Sequence, residues 1–193
     1  MISELFTARL HLRSWRDSDR APVAALNADP RVSEFLPTPL DAQASDAFLD
    51  RIECHWRENG FGLFAVEALD IAQFLGYIGL VVPAFVAPFT PCVEIGWRLA
   101  ASHWGMGLAT EGARAVMHHA FAALRLSEVL SWTVPANARS RRVMEKLVCP
   151  TIRPTILITQ RCRPATPCGR MSYIAYAPRA GEPRLARRPQ FRS

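Results

Sequence analysis

Residues 93–112, VEIGWRLAASHWGMGLATEG, constrain the fold of this chain more than any other stretch. A β-rich run over 93–99 passes through a short loop to two glycines one residue apart, Gly105 and Gly107, and then into a helix opening near Thr110. Glycines at a strand-to-helix turn let main-chain N–H groups crowd toward one point, because no Cβ blocks the approach. The helix that follows leaves its first N–H groups unpaired and carries a partial positive charge at that end. Together these features make a cradle for a phosphate or pyrophosphate. No lysine completes a nucleoside-triphosphate loop and no third glycine completes a dinucleotide fingerprint, so the expected ligand is an anion held by main chain, neither ATP nor NAD.

The tract Trp104-Gly105-Met106-Gly107-Leu108-Ala109-Thr110-Glu111-Gly112, following Glu94-Ile95-Gly96-Trp97, resembles the acyl-CoA-binding motif of the GNAT acetyltransferases, Q/R-x-x-G-x-G/A. It is most similar to the branch that acetylates the N-termini of ribosomal proteins (alanine or serine), where E-I-G-W and W-G-x-G-x-A-T-E-A are usual. The leading Gln/Arg of the motif falls here on Ser102. The resemblance implies an α/β (α+β) GNAT fold, a central mixed and mostly antiparallel sheet flanked by helices. It also implies acetyl-CoA as co-substrate, with no metal.

The order of elements agrees with that resemblance over about three-quarters of the chain. Residues 9–15 alternate as a first strand, and Asp17 and Ser18 offer caps for a short helix to about Asn27, closed by Asp29-Pro30. Residues 32–39 read as a loop or broken helix. Residues 41–59 carry Phe48, Leu49, Ile52 and Trp56 at helical spacing and stop at Gly60; in the resembled family this region flanks the acceptor entrance. Residues 61–67, 74–82 and 92–99 read as three antiparallel strands. Then come an amphipathic helix over 110–124, a strand over 127–134 and a helix over 137–147. On the first of these helices Met117 and Phe121 read as plain core.

Charge and composition narrow the functions open to the chain. With 193 residues, half of them hydrophobic, it is long enough for one domain with its own core. No run of 18 apolar residues occurs and no basic-then-apolar leader opens the chain, so a cytoplasmic protein with no membrane partner is expected. Five cysteines without repeated C-x-x-C spacing favour free thiols over disulfides or zinc. The net charge of +6 points toward nucleic acid only until it is located. Residues 1–147 hold 14 Lys/Arg and 16 Asp/Glu, whereas 148–193 hold nine Arg and one Glu. The excess sits in the tail, so no nucleic-acid partner is expected of the folded part. Either a monomer or a homodimer is compatible with the sequence.

Acetyl transfer to an amine needs a held thioester, a neutral nucleophile, a stabilised oxyanion and a proton for the departing thiolate. The resemblance places the pyrophosphate of CoA on main-chain N–H groups of Met106, Gly107, Leu108, Ala109 and Thr110. It runs the pantetheine arm along the 92–99 strand, which this family splays from the next, and sets N–H groups of Ile95, Gly96 and Trp97 at the thioester carbonyl. Glu94 is the candidate acceptor of the amine proton; the alternative is a solvated or ion-paired strand residue. Asn137 and Ser140 open the last helix as N-x-x-S. By resemblance Asn137 bonds the cofactor or the strand backbone and Ser140 protonates the thiolate, while a simple N-cap at Asn137 is the alternative. Arg139, Arg141 and Arg142 are candidates for the CoA phosphates. His55 and His103 read as surface or loop residues.

The last quarter departs from the pattern. After Leu147 the composition turns to Arg, Pro and Cys, where this family ends with two strands and its branch continues M-E-K-L with glycine. Loss of one G from a Leu-Gly-Met coding stretch turns CTG-GGT-ATG into CTG-GTA-TGC, Leu-Val-Cys, as at 147–149. A shifted reading frame over 148–193 is therefore expected, with a poorly ordered tail from which 155–159 or 171–177 supplies a substitute strand. The expected function is transfer of acetyl from acetyl-CoA to a primary amine, on a protein N-terminus or a small molecule. The alternative is a non-catalytic acyl-CoA-binding remnant left by the altered C-terminus.

Overall fold

The computed structural model describes residues 4–36, 40–70, 73–87 and 89–147, together with the backbone of 172–176. One sheet organises them. Its strands are β1 (Leu5–Phe6), β2 (Leu10–Arg13), β3 (Leu63–Ala68), β4 (Gln73–Val81), β5 (Glu94–Leu99), β6 (Val129–Thr133) and β7 (Ser172–Tyr176), lying side by side in chain order. Every neighbouring pair is antiparallel except β5 and β6, which are parallel. Parallel neighbours need a crossover, and here it is helix α4 (Leu108–Ala122). Three helices precede the central strands: α1 (Arg20–Ala28), the single turn α2 (Pro30–Ser33) and α3 (Ala42–Asn59). The last helix, α5 (Ala138–Leu147), follows β6. This is the mixed, mostly antiparallel sheet with flanking helices that the resemblance implies.

The local chemistry explains the boundaries. Asp41 caps α3 by accepting from the N–H of Ala44 at 2.8 Å, and Gly60 ends it at φ +73, its N–H donating to Trp56 O at 3.0 Å. At the first helix the cap is neither Asp17 nor Ser18. Asp19 accepts from Arg16 N at 2.8 Å and is gripped by both Nη atoms of the buried Arg13, at 2.7 and 2.8 Å. Of the loop or broken helix expected over 32–39, residues 32 and 33 belong to α2, which starts earlier because Asp29 accepts from Arg31 N and Pro30 sits at its first position; 37–39 lie outside the described residues. In β4, Gly76 has φ +140, and a Cβ there would lie 2.1 Å from Arg98 O. Only glycine fits at that approach, beside the bulge where the β3 register shifts.

The core lies between the sheet and its helices. Leu10, Leu12, Val66, Leu75, Ile78, Ile95, Val116 and Ala120 have no exposed surface. Met117 and Phe121 pack against this core, as expected. Helix α4 lies close on the sheet because Gly112 faces it. A Cβ at Gly112 would lie 2.6 Å from Ile78 Cδ1 and 3.3 Å from Leu10 Cδ1. Among the described residues no helix is long and apolar enough to cross a membrane.

Of the two stretches expected to offer a substitute final strand, 171–177 does so. Ser172–Tyr176 forms β7 against β6, with Ser131 opposite Ile174. Residues 155–159 and the remainder of 148–193 lie outside the described residues.

Candidate active site

The site begins with a sheet that opens. β5 and β6 pair at one position, Glu94 opposite Leu130, where Leu130 N donates to Val93 O at 2.8 Å. Past that point β5 keeps its full antiparallel register with β4 from Val81–Glu94 to Gly76–Leu99, but β6 no longer follows it. Main-chain groups on that edge of β5 are therefore left without a strand partner, and polar groups so placed need one from elsewhere. A cavity of about 720 Å³ fills the gap. Residues 94–99 of β5 line one side of it and Ser131, Trp132, Thr133 and Val134 the other. The splay that the resemblance implies is thus present, and Ile95, Gly96 and Trp97 stand on it.

The glycine turn closes one end of this cavity. Gly105 and Gly107 adopt φ +79 and +80, the left-handed region that a side chain rarely enters. Nothing lies within 4 Å of where a Cβ of Gly105 would be. Gly107 is the N-cap of α4, and no side chain caps it. The first-turn N–H groups of Leu108, Ala109 and Thr110 have no partner within the helix, and all three residues line the cavity. Met106 does not. Its side chain is 55% exposed and its carbonyl accepts from Arg9 Nη1 at 3.0 Å.

A contact that sequence reasoning missed holds this helix start in place. The Glu111 carboxylate accepts from Thr7 Oγ1 at 2.6 Å, from Arg9 N at 3.0 Å and from Arg9 Nε at 2.7 Å. Burial opposes its ionisation, but these bonds outweigh it and hold the carboxyl below its usual range. Glu111 thus ties the first turn of α4 to the chain ahead of β2, in register with the cradle. Its partners lie more than a hundred residues away in sequence, so no local pattern could have revealed it.

Glu94 sits where the strands begin to part. It lines the cavity, and no cation among the described residues pairs with it; burial alone pushes its carboxyl up to about 8. Of the alternative, the ion-paired form is not seen among the described residues, and the side chain is largely buried. Gly96 follows on the same face with open space where a Cβ would project, and Arg98 comes next. Across the cavity, Asn137 and Ser140 both reach the wall. Asn137 Oδ1 accepts from Ser140 N at 3.1 Å and its Nδ2 donates to Thr133 Oγ1 at 3.0 Å. Asn137 therefore caps α5, while the Ser140 hydroxyl bonds no described residue. Arg139 and Arg142 line the cavity, whereas Arg141 turns back to Pro135 O at 3.1 Å. Arg139 stacks over Trp104 at 4.3 Å and pairs with Glu34 at 2.6 Å, bridging α5 to the segment after α2.

The opposite wall is apolar, formed by Val32, Phe35, Leu36, Phe48 and Val81. His55 lies behind it and is not the surface residue expected. Half-buried on α3, it accepts from Val82 N at Nε2 and donates from Nδ1 to Phe61 O, both at 2.9 Å. That pairing fixes the neutral tautomer, and burial lowers its pKa. His103 lines the cavity near the glycine turn. Cys54 and Cys92 are free thiols. Burial raises the Cys92 thiol to about 11, the wrong direction for a nucleophile. Cys149, Cys162 and Cys168 fall outside the described residues. Among those described, no three His, Cys, Asp or Glu side chains group to hold a metal.

Comparisons with known proteins converge on the same stretch. The family described as "Acetyltransferase (GNAT) domain" matches residues 9–148. The chain is 30% identical to the uncharacterized protein YkkB of Bacillus subtilis (strain 168) over 146 residues, 75% of this chain and 84% of that protein. It is 33% identical to the FsC-acetyl coenzyme A-N(2)-transacetylase of Aspergillus fumigatus over 148 residues, 72% of this chain and 62% of that longer protein. The crystal structure of an acetyltransferase from Agrobacterium tumefaciens str. C58 superposes with a TM-score of 0.75 at 26% identity, covering 92% of this chain and 96% of that one. With its parted strands and glycine-capped helix inside the matched region, the chain belongs to the GNAT acetyltransferases, enzymes that take their acetyl group from acetyl-CoA.

Proposed function

We propose that this chain transfers acetyl from acetyl-CoA to a primary amine by direct attack, within one ternary complex. The observation that carries the reading is the gap between β5 and β6, with an uncapped helix start at its end. The residues present fit a thioester carrying a diphosphate. N–H groups of residues 107–110 hold the diphosphate, the free edge of β5 takes the pantetheine amides, and Arg142 adds a cation beside them. Met106 contributes through its main-chain N–H alone. N–H groups of Ile95 and Trp97, which like Val93 face the β6 side of β5, stabilise negative charge as it grows on the thioester oxygen.

Glu94 accepts a proton from the acceptor ammonium, directly or through water. The neutral amine then forms the C–N bond as the C–S bond breaks; the nitrogen gives up its second proton to solvent, and Ser140 Oγ donates a proton to the leaving thiolate and recovers one from solvent. A carboxyl that ionises near pH 8 is suited to this exchange, because general bases work best with a pKa near the working pH. Asn137 acts by position, holding the first turn of α5 so that Ser140 faces the gap. The setting is a cytoplasmic one. The name of the Aspergillus relative also places its acetyl group on a nitrogen. The acceptor is a small-molecule amine or a protein N-terminus, the latter as in the ribosomal-protein branch.

A second reading has its own support. The family match ends at residue 148, where the composition changes, as expected if 148–193 are read in a shifted frame. On that account the chain binds acyl-CoA but has lost turnover. Sequencing the gene decides the frame: a one-base change near codon 148 restores Leu-Gly-Met and a family-like ending, or no such change exists.

The main test pairs acetyl-CoA binding with thiol release on a panel of amines. Wild type binds and releases thiol, and Gly107→Val weakens binding at least about tenfold, because the side chain forces φ away from +80 and turns the first N–H groups aside. Equal affinity in the variant removes the cradle. Binding without release on any amine supports the remnant.

Glu94 gives a stability test. Its native carboxyl keeps a proton to about pH 8, while the unfolded chain ionises near 4.5. The native state therefore binds more protons between those values, and stability falls as pH rises through that window and levels off above it. Glu94→Gln flattens this fall in urea midpoints taken at about pH 5, 6.5 and 8. Parallel curves for variant and wild type contradict the assignment.

A further inference from the structure

Among the described residues Arg98 has neutral partners alone. It stands on β5 two residues past Gly96, on the face shared with Glu94, and opposite Tyr77 of β4. Nη1 donates to Asn27 Oδ1 at 2.5 Å, and the guanidinium carbon lies 5.3 Å from the centre of the Tyr77 ring. Asn27 on α1 is fully buried, and its Nδ2 donates to the equally buried Ser45 Oγ on α3 at 3.0 Å. Every partner in this relay is neutral. Among the described residues no carboxylate pairs with Arg98.

Burying two polar side chains between helices costs desolvation and adds nothing to the apolar core. What the relay accomplishes is to fix one guanidinium in one orientation. A tether between helix and sheet would need no charge, yet the residue held here is an arginine that lines the cavity. Its fork suits a carboxylate, which it can bind through two parallel hydrogen bonds. Glu94 does not serve as its counter-ion: no ion pair joins them, the guanidinium being held on Asn27, and their Cα atoms stand about 13 Å apart along the strand. Gly96 is nearer, about 7 Å along the strand, with open space above it where the thioester carbon would meet an amine. An acceptor bridging from that point to Arg98 is short. Its body passes beside Phe48 and Tyr77, which stand 5.3 Å apart.

We propose that Arg98 reads the acceptor, pairing with a carboxylate carried a few bonds from the reacting nitrogen, so that compact amino carboxylates are the preferred substrates. This rests on the acetyl-transfer reading above and names the acceptor class for that same site. Polycationic amines place a like charge at Arg98, and peptide N-termini place a neutral amide there. Both lose the ion pair.

The test sets α-, β- and γ-amino acids beside their primary amides, with saturating acetyl-CoA and the full-length chain, and follows free thiol. In wild type at least one acid exceeds its amide by roughly tenfold to a hundredfold in kcat/KM, the value of a hydrogen-bonded charge. Arg98→Gln collapses that ratio to about one, and Arg98→Lys, which keeps the charge without the fork, retains part of it. Melting of the acetyl-CoA complex with each acid gives a second readout. The acids raise Tm in wild type but not in Arg98→Gln, which supports the proposal even without turnover. Amides that match the acids throughout overturn it, as does an Arg98→Gln variant that slows both in equal proportion. So does a set of acids that neither react nor raise Tm while acetyl-CoA binds. Failure of acetyl-CoA itself to bind sinks the transfer reading, and this proposal with it.

Discussion

Everything chemical in this molecule depends on two parallel strands that pair once and then separate. In a closed sheet the edge of β5 would spend its hydrogen bonds on β6. Here the single contact at Glu94 and Leu130 acts as a hinge point, and the groups beyond it face a cavity. Each unpaired main-chain donor or acceptor there is a cost to the fold that a ligand's amides can remove. The antiparallel ladder with β4 runs unbroken along the other edge of β5, so the strand is held in the sheet while its free edge remains available.

The opening is useful only if the helix start at its end is correctly aimed. Two devices set that aim. Gly112 lets α4 lie against Ile78 and Leu10, and Glu111, one residue earlier, binds Thr7 and Arg9. Adjacent residues in one helical turn thus anchor it to the sheet below and to the chain beside it. The positive φ values at Gly105 and Gly107 then bring the main chain round to the first turn without a side chain in the way. The other face of the same sheet carries Glu94, Gly96 and Arg98 at alternate positions along β5.

What could be read in the sequence was whatever depends on local pattern. The helix over Ala42–Asn59 was legible from Asp41, Gly60 and the spacing of Leu49, Ile52 and Trp56. The order of strands and the strand-to-helix turn were legible from alternation and from the two glycines. The elements beyond that needed the third dimension. Asp19, not its neighbours, stands at the N-cap of the first helix, and its carboxylate is taken by Arg13 from β2 and by Arg16 N rather than by a helix N–H. His55 is half-buried because Phe61, just ahead of β3, and Val82, just past β4, converge on it. Met106 lies within the motif yet turns outward, since the glycines on either side reverse the chain around it. Asn137 was ambiguous between cap and ligand contact, and its amide is seen bonded to Ser140 N and Thr133. The Arg98–Asn27–Ser45 relay joins three elements and leaves no trace at any fixed spacing.

Amide hydrogen exchange with and without acetyl-CoA tests the central claim most directly, because it reports on the main-chain groups themselves. The account predicts slowed exchange at residues 95–97 and 107–110 when acetyl-CoA saturates the protein, with little change in α3 or in β2 and β3. Binding accompanied by protection elsewhere, with those two segments exchanging as before, would contradict it.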